Sequence, residues 1–247
     1  MSLETEQVGE VYVYGLVAAD VDPPEGVPGV AGAAVERRDL GDGVAALVSE
    51  VDVEMLGAAE DLLAHAAVLD GLAERATVVP FAFGSFTDPE DDDAAAALAE
   101  GYHRVAPRLE GAVQLMVTAR YVEDAVLAEL VEEDPEIAAL RRRTAGSGPD
   151  ELRNEKMRLG ELVVQGLERK AEADARPILA ALEGAAREVA VHERRSADDV
   201  IELAALVDRS ASAAFERTAE RLAEERAGRI RMRLVGPQAP YDFVDEG

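Results

Sequence analysis

The 247-residue chain has no cysteine and no tryptophan, three histidines, and two lysines, Lys156 and Lys170, among its 25 basic residues. The missing cysteines exclude disulfide frameworks, thiolate-ligated zinc, iron–sulfur clusters and thiol nucleophiles. Basic residues are scarce against 51 acids, leaving a formal charge of −26. Such a surface repels nucleic-acid phosphates, so no sequence-independent nucleic-acid binding is expected. No apolar run reaches the roughly 18 residues that a membrane span needs. The opening residues, Met1 to Glu10, are acidic and lack a basic or an apolar leader region, so no signal peptide and a cytoplasmic location are expected. His65, His103 and His192 fall in separate segments without partners three or four residues away, so no metal site is expected. Phosphate-loop, dinucleotide and nucleophile-elbow patterns are also missing, and no cofactor or catalytic residue is predicted.

What is present is ample apolar content, 48% of residues, in a length that suits one large or two small domains. An acidic surface almost without lysine is the usual surface of a protein kept soluble at very high salt, where counterions screen self-repulsion. GC-rich codon usage also raises arginine and alanine, but it does not account for the excess of acids. The charge is uneven. Residues 1–120 hold 23 acids and 6 bases, whereas residues 121–247 hold 28 and 19.

Val11 to Ala18 reads as a strand, ended by the Asp20 to Gly26 loop. Ala33–Arg38 and Val44–Val51 flank an Asp42-Gly43 hairpin turn. From Ala58 to Ala76, Leu62, Leu63, Ala66, Leu69, Leu72, Ala73 and Ala76 recur at helical steps, with Glu60, Asp61, Asp70 and Glu74 between them, which predicts an amphipathic helix. Thr77 to Phe86 is again of β type. Thr87-Asp-Pro-Glu then opens a second helix to about Leu109, and Glu90 to Asp93 give it an acidic first turn that suits the macrodipole. Ala112 to Tyr121 alternates as a half-buried strand. A second module is expected after Tyr121: a helical stretch to Arg143 broken at Asp134-Pro135, a flexible Thr144–Pro149, and a long helix capped by Asp150. That helix carries Leu152, Leu159, Leu162, Val163 and Leu167 on one stripe and is ended or kinked by Pro177. Strands at Glu188–Arg194 and Val200–Val207 precede a helix from Ala211 to Ala227, with Ala211, Ala214, Phe215, Thr218 and Leu222 inward. Arg229 to Val235 closes the series, with Ile230, Met232 and Leu234 opposite three arginines. The fold class is α+β: two small mixed domains with mainly antiparallel sheets, at 1–121 and 122–235, and a tail at 236–247.

Two segments place apolar surface on irregular backbone. Pro80 to Phe86 holds Phe81, Phe83 and Phe86, with Phe81 and Phe83 on one side by alternation; they either fill the core or form a partner-binding edge. The tail, Gly236 to Val244, carries Tyr241 and Phe243 between prolines; it either folds back or docks on another chain. Arg229, Arg231 and Arg233 either pair with the protein's own carboxylates or form a strip for an acidic partner.

Four segments, in order, carry a family resemblance: Tyr12-Val-Tyr-Gly-Leu16, Val78-Val-Pro-Phe-Ala-Phe-Gly84, Leu109-Glu-Gly-Ala-Val-Gln-Leu115, and Gly236-Pro-x-x-Pro-Tyr-x-Phe-Val244. Over nearly its whole length the chain resembles the GvpF/GvpL gas vesicle proteins. It departs from them at Gln238-Ala239, where Trp-Pro is common, and at Gln114, where Glu is common. The resemblance implies two α+β domains, the first ferredoxin-like, and no catalytic activity. It further implies a minor component or accessory factor of the gas vesicle that contacts the small hydrophobic shell protein and other accessory proteins. An enzyme on an α+β scaffold and a general acidic scaffold are the alternatives.

Overall fold

The computed structural model describes residues 11–51, 56–88, 91–148 and 151–244. The acidic opening decapeptide, Pro89 and Glu90 of the expected helix start, and Asp150 lie outside the described residues. The chain forms two compact units that are not contiguous in sequence. One comprises residues 1–115, 206–210 and 236–247, the other 116–205 and 211–235. The tail is therefore a part of the first unit and not a separate segment.

The first sheet is built on β1 (Val11–Ala18). On one side it pairs antiparallel with β3 (Val44–Ser49), and β3 with β2 (Glu36–Gly41) through the expected hairpin. Positive φ at Asp42 (49°) and Gly43 (76°) makes that turn, which explains the Asp-Gly pair. On its other side β1 meets two short strands, β4 (Val79–Pro80) and β5 (Phe86–Thr87). Because β1 is central and covered, Val11 to Val17 are all buried, as its uninterrupted apolar run requires. Gly15 is dictated by crowding, since a Cβ there would stand 2.6 Å from the Val79 carbonyl oxygen.

Helix α1 (Ala59–Ala73) corrects the sequence reading. Its buried face is Asp61, His65, Val68, Leu69, Leu72 and Ala73, while Leu62 and Leu63 are 53% and 69% exposed. Asp61 faces inward because its carboxylate accepts from the backbone N–H groups of Ala31 (2.8 Å), Ala58 (3.1 Å) and Gly57 (3.2 Å). These bonds, that from Ala31 first, hold its pKa below the ordinary value. Helix α2 (Asp92–Leu109) starts at Asp91, whose carboxylate caps the N–H groups of Asp93 and Ala94.

The second sheet runs β7 (Glu188–Val191), β8 (Asp199–Asp208), β6 (Ala112–Tyr121), β9 (Ile230–Gln238) in space. Between β6 and β7 lie α3 (Glu123–Glu133), α4 (Pro135–Thr144) and α5 (Arg153–Glu183); α6 (Ser212–Glu225) links β8 to β9. This is the βαββαβ order of a ferredoxin-like unit. The first sheet has the same spatial order, β2-β3-β1-β4, with loop and a 3-10 turn at Val30–Gly32 in place of the first α-helical crossover, so the expected ferredoxin-like plan of the first domain is present in modified form and the second sheet shares it. Mixed α+β character with two antiparallel sheets holds throughout.

Several local readings shift. Ala112 to Leu115 of β6, Gln114 included, are all buried, and alternation begins only at Met116. Pro177 does not end α5, which continues to Glu183 with Ile178 and Leu182 buried. On α6 the inward residues are Phe215, Ala219 and Leu222, whereas Ala214 is exposed. β9 continues through Pro237, which an edge strand tolerates.

Candidate functional site

In the first unit, the Pro80–Phe86 segment closes over a buried aromatic cluster. Tyr12 and Tyr14, which share β1, meet edge to face at 4.9 Å, and Tyr14 stacks on His65 at 5.5 Å. Phe83 and Phe86 reach Tyr12 at 6.1 and 5.4 Å. Hydrogen bonds fix the tautomer of His65. The Phe81 carbonyl can only accept, so Nε2–H donates to it (3.1 Å); Nδ1 then accepts from the Tyr12 hydroxyl (2.7 Å). Tyr14 is oriented by similar logic. Ser49 Oγ donates to the Ala34 carbonyl, so the Tyr14 hydroxyl donates to Ser49 while accepting from Val30 N–H. Burial pushes the Tyr12 phenol up to about 12 and the His65 imidazole below its ordinary value. A neutral imidazole holding two partners positions the segment chemically without offering an open base.

A pH dependence follows. The folded state resists protonating His65, so the unfolded chain binds the extra proton. Stability from this site is complete above the ordinary histidine pKa of about 6.5 and falls as pH drops below it. The urea midpoint should decline between pH 7 and 5.5, and His65→Gln should flatten that decline; equal slopes in both proteins would refute the assignment.

The tail folds back onto the first unit. Gln114 grips Asp242 twice: its Nε2 donates to the carboxylate (2.7 Å), and its Oε1 accepts from the Asp242 N–H (3.0 Å). Asp70 accepts from Ala239 N–H at 2.8 Å, with its own pKa raised by burial. Ala239 and Phe243 are fully buried, so Ala239 takes part in docking where the family commonly has a larger residue. Tyr241 lies 6.1 Å from the His65 ring, and burial raises its phenol pKa.

Alternation fails for the phenylalanines because β4 stops at Pro80. Phe83 and Phe86 pack on the core cluster. Phe81 instead lines a shallow hollow of about 280 Å³ with Pro80, Leu98, Arg104 and Val244.

In the second unit the arginine strip divides. Arg229 donates to Glu129 (2.6 Å) and Asp174 (2.8 Å) and lies 5.5 Å over the Tyr121 ring. Lys170 joins through Glu129 (2.9 Å) and Glu133 (2.8 Å), and the Tyr121 hydroxyl donates to Asp174. Hydrogen bonding to Arg229 and Lys170 lowers the Glu129 pKa, and that to Arg229 and Tyr121 lowers the Asp174 pKa despite burial. Arg231 and Arg233 are exposed, with no ion pair among the described residues.

Sequence reasoning missed a groove of about 460 Å³ between α3, α4 and α5. One wall is Leu127, Ala128 and Val131 after Asp124; the other is Leu159, Gly160 and Val163 after Lys156. Each wall repeats the same i, i+3, i+4, i+7 spacing, and that was its visible signal. The stripe read on α5 is in fact two faces: Leu162 and Leu167 are buried, Leu159 and Val163 open to the groove, and Leu152 is exposed.

The family description "Gas vesicle synthesis protein GvpL/GvpF" matches residues 10–245. The chain belongs to the GvpL/GvpF family. It is 30% identical to gas vesicle protein F of Streptomyces sp. (strain CB03234), over 95% of this chain and 99% of that one. Crystal structures of GvpF from Microcystis aeruginosa (TM-score 0.75, 20% identity, 96% of this chain and 99% of that) and Anabaena sp. PCC7120 (0.76, 22%, 97% and 99%) share its fold. For this GvpL/GvpF member, no helix among the described residues is long and apolar enough to cross a membrane.

Proposed function

We propose that this protein is a gas vesicle accessory or minor structural protein that binds the small hydrophobic shell protein, and other accessory proteins, during vesicle assembly. Its near full-length match to gas vesicle synthesis proteins carries this reading. The chemistry supports it. A subunit destined for a water-excluding wall must be kept in solution until it joins the growing edge. A body with charge −26 that also exposes apolar hollows offers both solubility and a place for an apolar segment.

Among the residues singled out in sequence, we assign partner contact to Phe81, Arg231 and Arg233, which keep accessible surface. Phe243 is committed to the fold. Coexpression with the shell protein at molar salt should leave the shell protein in the supernatant and copurifying with this chain. Shell protein that pellets alone beside correctly folded partner would overturn the reading. Phe81→Ala should reduce the copurified fraction several-fold with little change in melting temperature; a loss of stability alone would return Phe81 to the core.

A further inference from the structure

We infer that the α3–α4–α5 groove of the second unit is a docking site for an acidic amphipathic helix of a partner protein, a surface distinct from the shell-binding role above. The walls supply the apolar half of the argument. Leu127, Val131, Leu159 and Val163 are half-buried beside a fully buried Ile137, and each wall spans eight residues, a rise of about 10 Å or two helical turns at 1.5 Å per residue. That length accepts two or three apolar side chains spaced i, i+3 or i+4, i+7, which is how a helix enters a groove. Beside it Met157 and Val164 of α5 stand 60% and 45% exposed, extending the apolar surface with a side chain that adapts to irregular partners.

Charge decides which helix. Residues 141–158 hold six basic residues against three acids, the reverse of a chain in which acids outnumber bases two to one. Within that cluster Arg143 pairs with Glu155, and Arg158 with Glu136. Lys156 is tied to the carbonyls of Ser147 and Gly148, which pins the end of the groove. Arg141, Arg142 and Arg153 are exposed, and no carboxylate among the described residues pairs with them. Arg141 itself lines the groove, where the other charges are Lys156 and Asp124. At 0.15 M salt the screening length is about 8 Å, so a segment bound in the groove senses its lining, Arg141 and Lys156 against Asp124, more than charges beyond that distance. An acidic helix is steered there and repelled elsewhere.

Gly160 gives a direct test. Nothing lies within 4 Å of a Cβ built at this helical position, so Gly160→Leu fills the groove without a clash and improves helix propensity. The probe is a labelled peptide of roughly 18 residues, about five turns, with leucines at the anchor spacing and glutamates opposite; a control replaces every glutamate with lysine. Anisotropy titrations at 0.15 M salt use the full chain. The glutamate peptide should bind, and bind at least about tenfold more weakly to Gly160→Leu, a difference near 1.4 kcal/mol. Arg141→Glu with Arg142→Glu, which leaves the apolar walls intact, should weaken it several-fold. The lysine peptide, attracted to acidic surface everywhere, should be indifferent to both variants. The proposal is overturned if the glutamate peptide fails to bind, if neither variant weakens it, or if the lysine peptide shows the groove dependence. It is overturned too if sedimentation shows a wild-type dimer that Gly160→Leu dissolves, since a second copy would then be the occupant. None of these outcomes bears on whether the shell protein is kept soluble.

Discussion

Phe243→Ala should lower stability by about 3–5 kcal/mol, the usual cost of emptying a fully buried phenylalanine site. The ring is the apolar anchor of a tail otherwise held by the Gln114–Asp242 pair and the Asp70 bond to Ala239 N–H. Those polar contacts exchange with water on release, so each contributes only about 1 kcal/mol net and cannot hold the tail alone. Urea unfolding read by both tyrosine fluorescence and circular dichroism measures the effect; a loss below about 1 kcal/mol would show that the tail is peripheral to stability. Tyr241→Phe makes the contrasting variant. The Tyr241 hydroxyl is buried with no hydrogen-bond partner among the described residues, so removing it should be neutral or stabilising. Opposite signs at positions two apart would separate packing from polarity.

Arg229→Ala should cost about 2–4 kcal/mol. Breaking a buried ion pair typically costs about 3–5 kcal/mol because the remaining charge is left uncompensated, and partial exposure of Arg229, Glu129 and Asp174 reduces that range. Lys170 still serves Glu129, so the stranded group is Asp174, left with the Tyr121 hydroxyl. Arg229→Ala combined with Asp174→Ala should recover part of the loss in a double-mutant cycle, whereas additive losses would show the pair to be uncoupled. Acid supplies a second reading of the network. With their folded pKa values depressed, Glu129 and Asp174 contribute stability that is present above the ordinary carboxylate range and lost as pH falls through it. Arg229→Ala should shrink that acid-dependent loss. Arg231→Ala, on an exposed residue two positions further along in β9, should change stability by no more than about 0.5 kcal/mol.

Arg229, Arg231 and Arg233 look equivalent in an alternating strand, and only position separates them. Arg229, just before β9, faces an α3 carboxylate 100 residues away, Glu129, and an α5 carboxylate 55 residues away, Asp174. Nothing in local spacing announces those partners. The same holds for the first turns of α1, where the apolar stripe is right at Leu69, Leu72 and Ala73 but wrong at Leu62 and Leu63. Leu62 and Leu63 are the more apolar choice, yet Asp61 and His65 are buried, because backbone donors near Ala31 and the carbonyl of Phe81 satisfy them. A hydropathy pattern assigns burial by transfer cost alone and misses polar groups whose cost is cancelled by a distant hydrogen bond. The groove was legible in spacing but hidden by its own moderation. Leu159 and Val163 were merged with Leu162 and Leu167 into one wide stripe, although the first pair faces the opening and the second the interior.

By itself the sequence determined the elements whose causes are local: the β1 run, the Asp42-Gly43 hairpin, the break at Asp134-Pro135, the alternating last strand, and the family to which the chain belongs. It also determined the net charge of −26. Tertiary structure alone decided that the second sheet repeats the strand order of the first, that the tail returns to the first unit, and that one arginine of three is tied into an ion network. The division has one physical reason. Turn chemistry and periodicity act over a few residues, whereas burial of Phe243, Asp61 or Arg229 is stabilised only when surfaces far apart in the chain come together.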